Sequence, residues 1–162
     1  MLFRSEQALA SFEKALQVSP DHIDSLMNSA VALRKLERHE EALQRFHRIL
    51  QIDPNHVNAR LNHGACLGDL ERCDEALTDF DIVLDAMPDC VDALVWRGGL
   101  LNTLGRPQEG LHSLERALAL KPDNAEGHYN CGVIYQGLLR YEEALDRKST
   151  RLNSSHSSVS RM

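Results

Sequence analysis

Apolar residues recur along the chain at the three- and four-residue spacing that is typical of helices. One apolar stripe runs through the segment 21–36, and a second runs through the segment 40–52 until Pro54 ends it. Proline disfavours a continued helix, and the Asp or Asn that follows each such proline is a good helix cap. The pattern therefore predicts pairs of helices, with the Asx residue after each proline capping the next helix.

The helix pairs repeat with a period of 34 residues, which prolines mark most clearly: Pro20, Pro54, Pro88 and Pro122. Small residues within the first helix of each pair keep the same period: Ala30, Gly64, Gly98 and Gly132. A period of this length indicates a solenoid of stacked units. We expect the small residues to let neighbouring helices approach closely, so that a larger side chain there overpacks the contact.

The period divides the chain into three complete units and two partial ones. The complete units are 23–56, 57–90 and 91–124, and the partial units are 1–22 and 125–145. In the last partial unit a second helix is predicted to begin at Tyr141, and the pattern fails after Leu145. Unpartnered helices at both ends expose apolar faces, which makes self-association a further candidate property.

The segment 146–162 departs from the repeat. Lys148 stands where earlier copies have Phe12 and Phe46, and no proline follows. The serine-rich composition favours a disordered tail. The eleven residues 146–156 also resemble, codon by codon, the conceptual translation of a common sequencing-library adapter. We therefore expect a tail that is either disordered or non-native, and we assign it no binding role.

The period, the Ala and Gly positions, the Phe position and the closing proline together resemble the tetratricopeptide repeat (TPR) family, from about Arg4 to Leu145. Two positions of the family pattern differ, the early Trp and the Leu before Gly: Leu26, Arg60, Leu94 and His128 for the first, and Ser29, His63, Arg97 and Cys131 for the second. The resemblance implies an all-α, right-handed superhelical solenoid of antiparallel helix pairs. In that family the first helices line a concave face that binds extended peptides or partner proteins.

Carried over by alignment, the concave face is expected to bind a peptide through these residues: Met27, Asn28, Val31, Arg34, Leu61, Asn62, Asp69, Trp96, Tyr129, Asn130 and Gln136. Asn28, Asn62 and Asn130 share one repeat position, where a carboxamide can pair with both groups of a peptide bond. The alternative is that Asn is only a tolerated polar surface residue here. Trp96 interrupts the series and either stacks on a ligand or packs against a neighbouring helix.

The resemblance implies a protein–protein interaction scaffold with a protein or peptide partner, and no enzyme activity. An asparagine ladder is also found in the TPR arm of O-GlcNAc transferases. The alternative is therefore the substrate-recognition arm of a larger glycosyltransferase whose catalytic domain is missing from this fragment. The carboxylate clamp of chaperone-tail binders is not expected, because Met27 and Val31 occupy the positions of its Lys and Asn.

Charge and hydropathy exclude two kinds of partner. The formal net charge is −6, which disfavours a nucleic-acid binder that depends on phosphate contacts. Within residues 1–145 there are 14 basic and 23 acidic residues, a net charge of −9, which favours basic or neutral partners. No stretch approaches the roughly 20 apolar residues that a membrane span needs. We expect a cytoplasmic protein.

The cysteines give no sign of a metal or redox centre. Cys66, Cys73, Cys90 and Cys131 lack C-x-x-C spacing and are expected to be reduced thiols. His63 and Cys66 are three residues apart on a helix, as are His128 and Cys131. These two pairs occupy different repeat positions two units apart, so they are interpreted as packing residues, and neither a metal nor a cofactor is expected.

Overall fold

The computed structural model describes the backbone of residues 2–159 and the side chains of residues 5–142. Within that range the chain forms eight α-helices: α1 Leu2–Val18, α2 Ile23–Lys35, α3 His39–Ile52, α4 Val57–Asp69, α5 Cys73–Ala86, α6 Val91–Thr103, α7 Pro107–Leu120 and α8 Ala125–Val159. Each helix packs against the next in sequential antiparallel pairs. The predicted all-α solenoid is therefore confirmed. None of these helices is both long enough and apolar enough to cross a membrane.

The first helices of the pairs form the inner wall of the array. Besides the contacts between consecutive helices, α2 contacts α4, α4 contacts α6, and α6 contacts α8. In the described part of the chain, the backbones of α3 and α5 do not meet, and neither do those of α5 and α7. The array is therefore tighter on the side of the first helices, which places them on the concave surface.

Close packing at the small repeat positions is confirmed for Gly64 and Gly98, and it was wrong for Gly132, where a Cβ would meet nothing within 4 Å. A Cβ atom built on Gly98 would lie 2.6 Å from Leu114 Cγ and 3.0 Å from the carbonyl oxygen of Gly110. A Cβ on Gly64 would lie 2.9 Å from Phe80 Cε1. Carbon atoms attract each other best at about 3.5–4.0 Å, so both glycines permit contacts that no larger residue allows without movement.

The predicted helix caps were wrong by one residue. The caps are the residues after the Asx positions: His22 Nδ1 accepts a hydrogen bond from the Ser25 amide at 3.3 Å, and His56 Nδ1 accepts one from the Ala59 amide at 3.1 Å. Before α8, Asn124 Oδ1 accepts from the Gly127 amide at 2.7 Å. The proline and the Asx residue form the turn between units instead.

The last unit does not turn where the sequence predicts. Earlier turns within a helix pair each contain one residue with left-handed backbone, namely Glu37 (φ 60°), Glu71 (φ 58°) and Gly105 (φ 73°). Leu139 holds this position in the last copy, and α8 continues through it to Val159, so the second helix predicted to begin at Tyr141 was wrong. The left-handed conformation costs any residue with a Cβ roughly 1–2 kcal/mol, a cost that Glu37 and Glu71 bear in the earlier turns.

Because α8 continues without a turn, no second helix packs on its apolar side within the described part of the chain. A Cβ on Gly132 would meet no neighbouring atom within 4 Å, unlike one on Gly98 at the same repeat position. Tyr135 and Leu139 are both more than half exposed. Self-association through this face stays a prediction.

The predicted tail, 146–162, lies outside the residues whose side chains are described. Because it lacks the apolar stripe of the repeat, its deletion should change the melting temperature by less than about 3 °C, equivalent to under ~1 kcal/mol for a chain of this size. Circular dichroism melts of the full chain and of a chain ending at Leu145 measure this directly. A much larger loss would show that the tail contributes to the array.

Polar pairs replace the apolar contact of the family pattern inside two units. Arg60 and His63, at the Trp and Leu positions of the pattern, both contact the buried carboxylate of Asp79 on α5. The distance from Arg60 Nη1 to Asp79 Oδ1 is 3.2 Å. In the next unit, Arg97 stands at the repeat position of His63 and Ser113 at that of Asp79. The Arg97 guanidinium donates a hydrogen bond to Ser113 Oγ at 2.7 Å. The polar side chains are therefore satisfied across the helix pair, which preserves the packing.

Candidate functional site

A cavity of about 310 Å³ opens on the concave side between α2, α4, α6 and α8, and we call it the central groove. Four of the predicted binding residues line it: Arg34, Asp69, Trp96 and Asn130. The other lining residues are Gly64, Ala65, Gly68, Phe80, Gly99, Leu100, Thr103 and Glu126. All except Phe80 belong to first helices, so the structure brings four predicted residues from four units to one place.

Trp96 packs against its neighbours and also lines the central groove. Its ring centroid lies 5.9 Å from that of Phe80, with the ring planes tilted by 51°. The Arg34 guanidinium carbon lies 5.7 Å from the Trp96 ring centroid, within the range of a cation–π contact. The indole is half-buried, so it gives the groove an apolar surface that is held in place from two sides.

The charges of the central groove sum to an acidic excess. Arg34 Nε donates to Asp69 Oδ2 at 2.8 Å, so each of these two charges has a partner. Glu126 is exposed at the N-terminal end of α8 and forms no ion pair with any side chain that the structure describes. With one basic and two acidic side chains in the lining, the groove favours a basic or neutral group.

The three asparagines of the predicted ladder lie in different surroundings. Asn130 lines the central groove, where its Nδ2 lies 3.3 Å from the point that a Cβ on Gly99 would occupy. Asn62 donates its amide hydrogen to the carbonyl oxygen of Asn58 at 2.8 Å, within its own helix. Asn28 and Val31 line a separate cavity of about 240 Å³ beside α1. The shared repeat position therefore does not give three equivalent amides.

Four other predicted residues lie outside the central groove. Leu61 is only 8% exposed and belongs to the core, so its predicted place on the binding surface was wrong. Met27, at the same repeat position, is half-buried and packs against that core. Tyr129 is 71% exposed and Gln136 is exposed, both on α8. Met27, Leu61 and Tyr129 share one repeat position, and its side chain is exposed only on α8, the last described helix.

Eight of the twelve lining residues were not among the predicted binding residues, and Gly68, Leu100 and Thr103 are three of them. Thr103 stands at the repeat position of Asp69, so carrying that position into the next unit would have found it. Gly68 likewise stands at the repeat position of Arg34. Nothing in the sequence pattern marks Leu100 as a lining residue, because its exposure depends on how α6 is placed.

A second cluster lies beside the groove where α3 meets α4. The ligand atoms of His39, Cys66 and Asp69 all lie within 4.8 Å of one another. His39 Nδ1 is buried without a hydrogen-bond partner, at 3.5 Å from Asp69 Oδ2. Burial raises the pKa of the Cys66 thiol to about 11, so this thiol is protonated at neutral pH. Along the sequence His63 is three residues from Cys66, but in the structure it is His39 that lies close to Cys66. His63 is bound to Asp79.

The repeating helix pairs and their concave groove define a helical-repeat solenoid. Models of known families agree with this class: a tetratricopeptide repeat model matches residues 67–125 and 103–147, and a model of anaphase-promoting complex, cyclosome, subunit 3 matches residues 1–83. The chain therefore belongs to the tetratricopeptide repeat family. Domains of this family bind proteins and peptides and are generally non-catalytic.

Solved structures show the same fold. MamA 41-end from Desulfovibrio magneticus RS-1 has a TM-score of 0.78 and 21% identity, covering 94% of this chain and 86% of its own. Another MamA crystal structure has a TM-score of 0.75 and 14% identity, covering 92% and 91%. YrrB, described as a TPR protein with an unusual peptide-binding site, has a TM-score of 0.70 and 24% identity, covering 88% and 74%. No curated protein sequence matches, and these similarities give no support to the glycosyltransferase alternative.

Proposed function

We propose that this chain is a protein-interaction scaffold that binds an extended segment of a partner protein in the central groove. The observation that supports this function is the cavity that Arg34, Asp69, Trp96 and Asn130 line together. It combines an aromatic ring, a carboxamide and carboxylates, which can bind apolar, backbone and basic groups of a peptide respectively.

The favoured ligand segment carries basic side chains. A basic group between Glu126 and Trp96 gains a carboxylate partner and the face of an aromatic ring. The Asn130 amide is available beside Gly99 for the peptide backbone. The net charge of −9 over residues 1–145 also attracts a basic segment from a distance.

Two fluorescein-labelled peptides of equal length test this function, one alternating Leu with Arg and the other alternating Leu with Glu. The Arg peptide should bind more tightly in fluorescence anisotropy titrations. Trp96→Ala should weaken its binding roughly two- to thirtyfold, the range of a cation–π contact. Glu126→Gln should weaken it roughly two- to fivefold, as expected for an exposed ion pair.

Matched variants separate the groove from general effects. Glu142→Gln removes an exposed carboxylate from the same helix outside the groove and should leave binding unchanged. Asn130→Ala should weaken binding, whereas Asn28→Ala, in the separate cavity, should not. Equal binding of the two peptides, or full binding by a folded Trp96→Ala chain, would contradict the proposal.

A further inference from the structure

We propose that His39, Cys66 and Asp69 form a zinc-binding site where α3 meets α4. Their ligand atoms are an imidazole nitrogen, a thiol sulfur and a carboxylate oxygen, and all three lie within 4.8 Å of one another. Zinc binds this combination of nitrogen, sulfur and oxygen ligands, most often with tetrahedral geometry. The site shares Asp69 with the lining of the central groove, but its ligand is a metal ion and not a peptide.

The unpartnered nitrogen of His39 is an independent observation that points to a ligand. Its Nδ1 is buried and makes no hydrogen bond within the described side chains. A buried polar atom without a hydrogen-bond partner destabilises the folded state, and a metal bond at this nitrogen would remove that cost. The distance of 3.5 Å to Asp69 Oδ2 already matches the separation of about 3.5 Å between two ligands of a tetrahedral zinc ion.

The surroundings permit the metal to enter and to be held. Asp69 is exposed, so the site is reached from the solvent, whereas Cys66 is fully buried and fixes the inner ligand. The sulfur must approach the other two ligand atoms by roughly 1 Å, a shift within the range of a side-chain rotation. Binding converts the Cys66 thiol to a zinc-bound thiolate, and its proton leaves to solvent.

Arg34 is the charged group that opposes this site. Its Nε donates to the same Asp69 oxygen at 2.8 Å, so a bound cation has to share that carboxylate or use its other oxygen. The positive charge of Arg34 raises the electrostatic cost of binding a cation at this site. The carboxylate and the thiolate together supply two negative charges that attract the cation. We therefore expect the site to bind zinc tightly when all three ligands are present and weakly when one of them is removed.

Zinc chloride titrated into the full chain against a chromophoric chelator tests the proposal. The wild-type chain should bind one zinc ion tightly, and Cys66→Ser and His39→Gln should each lower the affinity tenfold or more. Cys131→Ser, which changes a half-buried thiol outside the cluster, is the matched control and should bind like wild type. Circular dichroism without metal shows whether each variant is folded.

Cobalt chloride gives a second readout that depends on the ligand atoms. A cobalt-loaded wild-type chain should show thiolate-to-metal absorption in the near ultraviolet, and the Cys66→Ser chain should lose it. Equal zinc affinity in wild type and Cys66→Ser, or cobalt binding without thiolate absorption, would overturn the proposal. Absence of tight zinc binding by the wild-type chain would overturn it as well, without affecting the proposed peptide-binding function.

Discussion

Replacing Gly98 with Leu should lower the melting temperature by roughly 6–12 °C, corresponding to about 3 kcal/mol of overpacking in a chain of this size. The Cβ of the new side chain would lie 2.6 Å from Leu114 Cγ and 3.0 Å from the Gly110 carbonyl oxygen. Backbone cannot move as a side-chain tip can, so α6 and α7 must separate. Each unit of a solenoid is stabilised by its interfaces with the neighbouring units. The loss of stability should therefore include those adjoining interfaces as well.

The chain contains a matched control at the same repeat position. Gly132 on α8 faces no second helix, and a Cβ there meets nothing within 4 Å. Gly132→Leu should therefore keep or slightly raise the melting temperature, because Leu favours a helix more than Gly does. Circular dichroism melts of the two variants provide the comparison. Equal effects at the two positions would show that close approach of α6 and α7 is not what requires a glycine.

Replacing Asp79 with Ala should lower the free energy of unfolding by about 2–4 kcal/mol, because two polar partners lose a buried carboxylate. Asp79 is 6% exposed, and it binds both Arg60 Nη1 and His63 Nδ1. Removal of the carboxylate leaves a guanidinium and an imidazole half-buried at positions where the family pattern has apolar residues. Urea denaturation followed by circular dichroism measures the loss.

Asp81→Ala is the control on the same helix. Asp81 is half-exposed and pairs with Arg97 Nε at 2.7 Å, so its removal should cost at most about 1 kcal/mol. A loss at Asp79 no larger than the loss at Asp81 would mean that the buried cluster adds nothing to stability. A chain in which Arg60, His63 and Asp79 are all replaced by apolar residues should recover most of the Asp79→Ala loss.

From α2 to α7 the repeat predicted the helix pairs and their packing correctly, because both depend on local, periodic signals. An apolar stripe at helical spacing forms a buried helix face in each complete helix pair, and a glycine at the same position in two of these pairs marks the same close contact. Gly64 and Gly98 both bear this out against Phe80 and Leu114 respectively. Such features need no knowledge of how the units curve.

The candidate groove was predicted only in part. Alignment identifies the helix face that turns inward, and four of the residues it selected line one cavity: Arg34, Asp69, Trp96 and Asn130. Their role in peptide binding stays a prediction. Alignment does not tell which positions on that face stay open, since this depends on the angle between successive units. Leu61 is consequently covered, and Asn28 opens into another cavity.

The sequence by itself determined the unit length, the helix pairs, the small contact positions and the family. Only the tertiary structure decided that α8 runs straight through Leu139 and that His39 lies beside Cys66. The physical reason is that the unit length and the helix pairs follow from each residue and its near neighbours along the chain. The course of α8 and the contact between His39 and Cys66 depend on distances between helices, which the packing of whole side-chain layers fixes.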